Sequence, residues 1–255
     1  MAAVVAALIV TVSSVVGSSP AQASAYTSCV YAAHRGYHAH ATENSLNAMK
    51  AAVRRHANYL EMDVQATSDG RFFLMHDETV TRTTNGRGRI RDKTAQQVNR
   101  LRLNDGEHVP SLSRVLDMAK PTRAQVMLEM KWIPQSLMPT LESRIEDFGT
   151  SRVVLHSFSG DAVHEFRGLY PDTDIRTALD TAQLISVDEA VGYGGVLPDY
   201  RITTSTWLSD LKAAGVPVYV WTVDRSLTWS RFVGQADAVI TNRAATFDTY
   251  RRRHC

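Results

Sequence analysis

Short runs of aliphatic and β-branched residues alternate with amphipathic stretches along this chain, a pattern that predicts a parallel α/β fold. The first run, Val30 to His34, ends in His34-Arg35-Gly36. A loop over 37–42 then leads to a helix capped by Asn44 and reaching about Ala57, with Leu46, Met49, Ala52 and Val53 on one face. Tyr59 to Gln65 is rich in strand formers. Residues 78–110 are rich in Gly, Thr and Arg with little periodicity, and read as a long excursion between a strand and a helix over 111–119. Further strands are expected at Gln125–Met130, Val153–Phe158, Asp174–Leu179, Gly194–Leu197, Val216–Val223 and Ala236–Thr241, each followed by helical sequence. About eight strands alternating with helices fit a closed (β/α)8 barrel better than an open sheet.

The most informative stretch lies in the second strand. Residues two apart on a strand share a face, so Glu61 and Asp63 point the same way. Two adjacent carboxylates repel each other unless a cation sits between them, and oxygen ligands of this kind suit calcium or magnesium. Ser68-Asp69-Gly70 marks a tight turn, after which Phe72 to Met75 returns and delivers His76 near the carboxylates. By itself the stretch is equally compatible with a solvated acidic edge and an unrelated loop histidine.

Composition changes this picture little. The chain has 255 residues with a formal charge of +2, enough for one large domain, and it carries no basic stripe of the kind nucleic-acid binding needs. Its first 25 residues do alter the organisation, because they hold no charge. The apolar run Ala2–Val16 is short for a membrane span, and Ala21-Gln22-Ala23 and Ala23-Ser24-Ala25 both fit a signal-peptidase site. Residues 1–25 are therefore expected to be a secretory signal peptide, although no Lys or Arg precedes the apolar core. The mature 26–255 domain is then extracellular, without stable membrane insertion and with a monomer as the favoured state.

In the barrel arrangement, His34, Glu61, Asp63, Glu129, Lys131, Ser157 and Thr222 all fall near the carboxyl ends of strands, the face where barrel active sites form. Glu61, Asp63 and Glu129 make a three-carboxylate site for one divalent cation, Ca2+ or Mg2+, with positions left open for water and substrate. Arg35 and Lys131 supply positive charge for a phosphate oxyanion. His34 and His76 offer a general base and a general acid. A divalent cation, two basic side chains and two imidazoles describe a site that cleaves phosphodiesters.

With these residues in view, the sequence resembles the glycerophosphodiester phosphodiesterase family. The resemblance rests on His34-Arg35-Gly36, Glu43-Asn44, Glu61-x-Asp63, Asp69-Gly70, His76-Asp77, Arg82-Thr83-Thr84-Asn85-Gly86, Leu128-Glu129-Met130-Lys131, Ser157-Phe158, Val220-Trp221-Thr222-Val223 and Ile240-Thr241-Asn242-Arg243. It implies a TIM-type barrel with a small insertion after strand two, at about 78–110. It also implies metal ligation by Glu61, Asp63 and Glu129, catalysis by His34 and His76, phosphate contacts from Arg35 and Lys131, a substrate-side Trp221, and Glu43 at the edge of the metal site. The expected substrates are small glycerophosphodiesters, cleaved to sn-glycerol 3-phosphate and an alcohol. Three positions depart from the family pattern: Ser45, Asp224 and Ala244 stand where the family usually has Thr, Asn and Pro, and the departure at Asp224 bears on substrate choice.

Two rival activities remain at this level. One is phospholipase D-like cleavage of lysophospholipids or sphingolipids, against which stands the lack of any exposed apolar or aromatic-basic stretch in the sequence. The other is a catalytically inactive barrel that binds phosphate esters, against which stand His34 and His76. His38 and His40 read as solvent-exposed, and His156 as a satisfied core histidine. Cys29 and Cys255 are the only cysteines and are expected to pair. Cys29 precedes strand one and Cys255 ends the helix after strand eight, so barrel closure brings both to the face opposite the active site.

Overall fold

A computed structural model describes residues 29–255. The expected signal peptide lies outside the described residues. Chain order is β1 (Tyr31–Ala33), α1 (Leu46–Arg54), β2 (Tyr59–Ala66), β3 (Phe72–Leu74), α2 (Ala95–Asn99), α3 (Leu112–Ala119), β4 (Gln125–Trp132), α4 (Met138–Phe148), β5 (Val153–Ser157), α5 (Gly160–Leu169), β6 (Arg176–Thr181), α6 (Val187–Tyr193), β7 (Val196–Pro198), α7 (Ser205–Ala213), β8 (Tyr219–Val220), α8 (Ser226–Phe232), β9 (Ala238–Thr241) and α9 (Ala244–His254). The parallel strands follow one another in the order β7-β6-β5-β4-β2-β1-β9-β8, and β3 pairs antiparallel with β2 outside that path. Isolated parallel bridges Val196↔Val218 and Asp199↔Trp221 join β7 to β8. The result is a nearly closed eight-stranded parallel barrel with surrounding helices, as the strand count predicts.

Every residue of β2 is buried, so polarity alone does not reveal which side each one faces. The pleat divides them. Leu60, Met62 and Val64 join Val126, Leu128, Val153 and Leu155 in the layer between barrel and helices, whereas Tyr59 belongs with Ala32, Met127, Val154, Ala178, Leu197 and Tyr219 in the barrel interior. By the period of two, Glu61 and Asp63 stand above Tyr59 inside the barrel, and Glu129 stands above Met127. Parallel register then sets Asp63 beside Glu129 and Glu129 beside His156. Apolar residues fill the lower interior and acidic ones the upper.

Three local details differ from the sequence pattern. Ser45, not Asn44, caps α1, accepting a hydrogen bond from the Ala48 amide. The helix stops at Arg54, because the chain turns at His56 with a positive φ of 57°. The stretch over 78–110 is better ordered than its composition suggests: α2 carries a capping box between Thr94 and Gln97, and Val80, Ile90, Val98, Leu103 and Val109 form a small separate core with Phe73 and Met75. Apolar residues spaced so irregularly have no helical or strand period to detect.

Candidate active site

The site begins where β1 ends. Arg35 and Gly36 have φ values of 54° and 77°, and this left-handed turn aims the Arg35 amide at Glu61 Oε2, 2.7 Å away. Gly36 is required on two counts, since a Cβ there would meet the Ala48 carbonyl carbon at 2.7 Å. The Arg35 side chain lies 3.3 Å from Asp63 Oδ2 and 3.0 Å from Glu43 Oε1. Across the barrel mouth, Lys131 Nζ lies 2.6 Å from Glu129 Oε1 and 3.3 Å from Asp63 Oδ1.

Glu61, Asp63 and Glu129 are buried and each turns one carboxylate oxygen into a cluster within 4.8 Å of one another. Asp63 Oδ1 is buried and accepts no hydrogen bond. Burial raises the Asp63 carboxyl, but Lys131 and Arg35 outweigh burial and hold it below the usual range. Burial and the neighbouring Asp63 charge push Glu61 up to about 7. Burial, Asp180 and Asp63 push Glu129 up to about 8. A buried oxygen-only cluster, in which Asp63 Oδ1 has the Lys131 charge beside it but accepts no hydrogen bond, fits a hard divalent cation. Asn44, with φ of 57°, braces it, donating from Nδ2 to Asp63 Oδ2 at 2.6 Å and accepting from the Asp63 amide at 3.2 Å.

Each catalytic candidate histidine is held through Nδ1. His34 Nδ1 lies 2.8 Å from Asn242 Oδ1, while Asn242 donates from Nδ2 and from its amide to the Asp224 carboxylate, both at 2.8 Å. Because the Asn242 NH2 is committed to Asp224, its oxygen faces His34, so Nδ1 carries the proton and Nε2 is left free to accept one. Burial and the Arg35 charge lower the His34 pKa below the usual histidine value. His76 Nδ1 lies 2.7 Å from Asp77 Oδ1. Arg82 reaches out of the 78–110 stretch to Asp77 Oδ2 at 2.6 Å and to Glu43 Oε1 at 2.6 Å. Gln65, next inward-facing residue after Asp63, donates to the carbonyls of Met75 and Asp77 and so fixes the segment that carries His76. Trp221 is half-buried with its Nε1 donated to Leu197 O, and Phe158 packs edge-on against it at 5.5 Å.

Residues 34–246 match the model of the glycerophosphoryl diester phosphodiesterase family. The chain belongs to this family of enzymes. It is 28% identical over 229 residues to a glycerophosphodiester phosphodiesterase of Caldanaerobacter subterraneus, covering 84% of this chain and 94% of that one. A 158-residue stretch is 32% identical to human glycerophosphodiester phosphodiesterase 1, over 58% of this chain and 47% of the human one. The fold matches an Oleispira antarctica phosphodiesterase solved with its product sn-glycerol-3-phosphate, with a TM-score of 0.80 at 21% identity over 89% and 99% of the two chains. It also matches a glycerophosphodiester phosphodiesterase from Parabacteroides distasonis, with a TM-score of 0.77 at 24% identity over 89% and 98%.

Within this phosphodiesterase, all the residues expected from sequence gather at one mouth except the two cysteines, which pair at the opposite end with Cα atoms 6.0 Å apart. Residues that sequence alone did not assign are the braces: Asn44, Gln65, Asp77, Arg82, Asp224 and Asn242. Four of them sit inside motifs of the family resemblance, so the motifs held the signal but not the role. Asp224 holds Asn242, so its departure from the family pattern bears on His34 before it bears on substrate choice. Ser157 is structural, donating to Met130 O at 2.9 Å. His156 is satisfied only on one side: Nδ1 lies 2.8 Å from Asp180 Oδ2, whereas Nε2 is buried without a partner. Neighbouring Asp180 outweighs burial and raises it to about 9.

Proposed function

We propose that this enzyme hydrolyses glycerophosphodiesters to sn-glycerol 3-phosphate and an alcohol, using one divalent cation, Ca2+ or Mg2+, and two histidines. The carrying observation is the buried Glu61-Asp63-Glu129 cluster flanked by two imidazoles that are braced through Nδ1 from separate parts of the chain. Those three carboxylates would hold the cation, which would polarise the phosphoryl oxygens as a Lewis acid. Arg35 and Lys131 face the same space and offset charge building on the non-bridging oxygens. His34, whose lowered pKa keeps Nε2 free of a proton at neutral pH, takes the proton from the attacking oxygen. His76 then gives a proton to the departing alkoxide. Glu43 keeps Arg35 and Arg82 in place, and Trp221 walls the group beyond the phosphate.

The Cys29–Cys255 bridge and the apolar leader both support an exported protein. The test is alcohol release from a panel of glycerophosphodiesters before and after chelation. Chelation should abolish turnover, and added Ca2+ or Mg2+ should restore it. His34→Ala and His76→Ala should each lose roughly 10²–10⁴-fold in kcat with the fold intact. Full activity after exhaustive chelation, or near-wild-type kcat in either variant, refutes the corresponding role.

A further inference from the structure

The three carboxylates of the cluster are not held alike. Glu61 Oε2 accepts a hydrogen bond from the Arg35 amide at 2.7 Å, and Asp63 Oδ2 accepts one from Asn44 Nδ2 at 2.6 Å. Both donors are fixed, the first by the turn at Arg35 and the second by the bond that Asn44 Oδ1 accepts from the Asp63 amide. Among the described residues, the Glu129 carboxylate has only Lys131, whose Nζ lies 2.6 Å from Oε1. Lys131 is a poor brace. It ends a flexible four-carbon stem, it is shared with Asp63 at 3.3 Å, and it is the cation proposed for the phosphate. A phosphate that draws Lys131 away leaves Glu129 without a fixed donor.

A donor stands beside it. His156 is the neighbour of Glu129 in the parallel register of β4 and β5, and two residues beyond Val154 it faces the barrel interior. Neighbouring strands are about 4.8 Å apart, within reach of a glutamate and an imidazole side chain. Asp180, inward-facing two residues beyond Ala178, holds the ring through Nδ1 at 2.8 Å. Because β5 runs between β4 and β6, a ring tied to β6 through Nδ1 turns Nε2 back toward β4 and Glu129. The residue is 2% exposed, and Nε2 has no hydrogen-bond partner among the described residues. Buried polar atoms of this kind are few in native proteins and costly to leave unpaired. Glu61 and Glu129, raised first of all by burial, are both drawn back down by this ring, so it acts on the cluster as well as on Asp180. We propose that His156 is a positioning residue for Glu129: Asp180 fixes the ring through Nδ1, and Nε2–H donates to the Glu129 carboxylate and holds it as a ligand of the cation. The bond forms as Glu129 leaves Lys131. Each ligand then has its own donor, the Arg35 amide for Glu61, Asn44 for Asp63 and His156 for Glu129. The proposal rests on the divalent-cation reading above and adds a residue to it.

Two neutral replacements test it. An asparagine amide reaches the place of Nδ1, so His156→Asn keeps a donor for Asp180 and loses the one toward Glu129. A glutamine amide reaches the place of Nε2, so His156→Gln keeps the donor toward Glu129. The full chain, freed of metal by chelation, is titrated with Mg2+ and with Ca2+ by calorimetry, and the cation-induced rise in Tm gives a second readout. Loss of a group that orients a metal ligand costs about 10–100-fold in affinity. His156→Asn should therefore bind both cations about 10–100-fold more weakly than the wild type, and His156→Gln should recover most of that loss. A ring that served Asp180 alone, or only carried positive charge, predicts otherwise, because its removal leaves cation binding unchanged or tighter. Affinity in His156→Asn equal to or above that of the wild type overturns the proposal, as does a glutamine variant no better than the asparagine one. In both cases binding by the wild type leaves the cation reading standing. If His156→Asn fails to fold, the double variant His156→Asn, Asp180→Asn, which also removes the buried carboxylate, takes its place under the same expectation. A wild-type protein that binds neither cation overturns both readings.

Discussion

At the scale of single residues, the chain Asp224–Asn242–His34 decides which nitrogen of the imidazole is free. Asn242→Ala leaves Nδ1 unpartnered and lets the tautomers exchange, so kcat should fall about 10–100-fold with little change in KM, as is usual for partners that orient a functional side chain. Because the His34 pKa lies below its usual value of 6.5, its Nε2 carries no proton at neutral pH. With the cation kept saturating across the pH range, the acid limb of kcat/KM should therefore have its midpoint below pH 6.5, and a midpoint above that value under those conditions would count against His34 as the base. The carboxylates behave oppositely. Glu61 and Glu129, at about 7 and about 8, hold protons at pH 6 when no cation is bound. Cation binding must release those protons, so affinity should rise from pH 6 to pH 8, with proton release visible in calorimetry as a dependence on buffer ionisation. The stability sign follows: folded values above the unfolded one add stability below about pH 4.5, which is lost as pH climbs through 7 and 8. Chelated protein should thus show a Tm that falls between pH 6 and pH 9, and Ca2+ or Mg2+ should flatten that fall.

At the scale of elements, the loop between β1 and α1 joins the first strand to the second. Asn44 adopts a left-handed backbone and gives both ends of its side chain to Asp63. Two contributions can be separated there. Asn44→Gly removes the hydrogen bonds but suits the positive φ, whereas Asn44→Ala removes the bonds and adds backbone strain. Loss of partners for a buried carboxylate costs about 1–3 kcal/mol, and the alanine should cost about 1 kcal/mol more than the glycine. Denaturant unfolding of the two variants measures the difference; equal stability would mean that the backbone at Asn44 is not strained. Arg82 does comparable work between elements, tying the 78–110 stretch to both Asp77 and Glu43. Because that stretch has its own small core, Arg82 couples it to the catalytic face through side chains, not through a shared sheet.

At the scale of the whole molecule, the two ends of the described chain meet where the first strand of the barrel pairs with the last. β1 pairs with β9, Phe247 on α9 packs against Tyr31 at 5.0 Å, and Cys29 is bonded to Cys255 across a separation of 226 residues. The bridge lies at the face opposite the catalytic mouth, so reduction should lower Tm while leaving kcat nearly unchanged. Chain-entropy arguments for so long a loop set an upper value of about 5 kcal/mol. Thiol titration of denatured, unreduced protein should find no free thiols, and a reduced protein with unchanged Tm would show that the bridge adds nothing to closure.

The sequence by itself determined the barrel, the acidic cluster, the pair of histidines and the cysteine pairing. Each follows from a local rule: strand and helix periods, the two-residue pleat that sets Glu61 with Asp63 and Glu129 with Lys131, and the direction in which a helix returns after its strand. Tertiary structure alone decided which groups hold those residues and what surrounds them. Asn44 reads as a cap until the turn at Arg35 and Gly36 directs it toward Asp63. His156 reads as satisfied until Asp180 is found on one side and nothing on the other. Local rules fix the direction in which a side chain leaves its own element; the closing of the barrel fixes what it meets there.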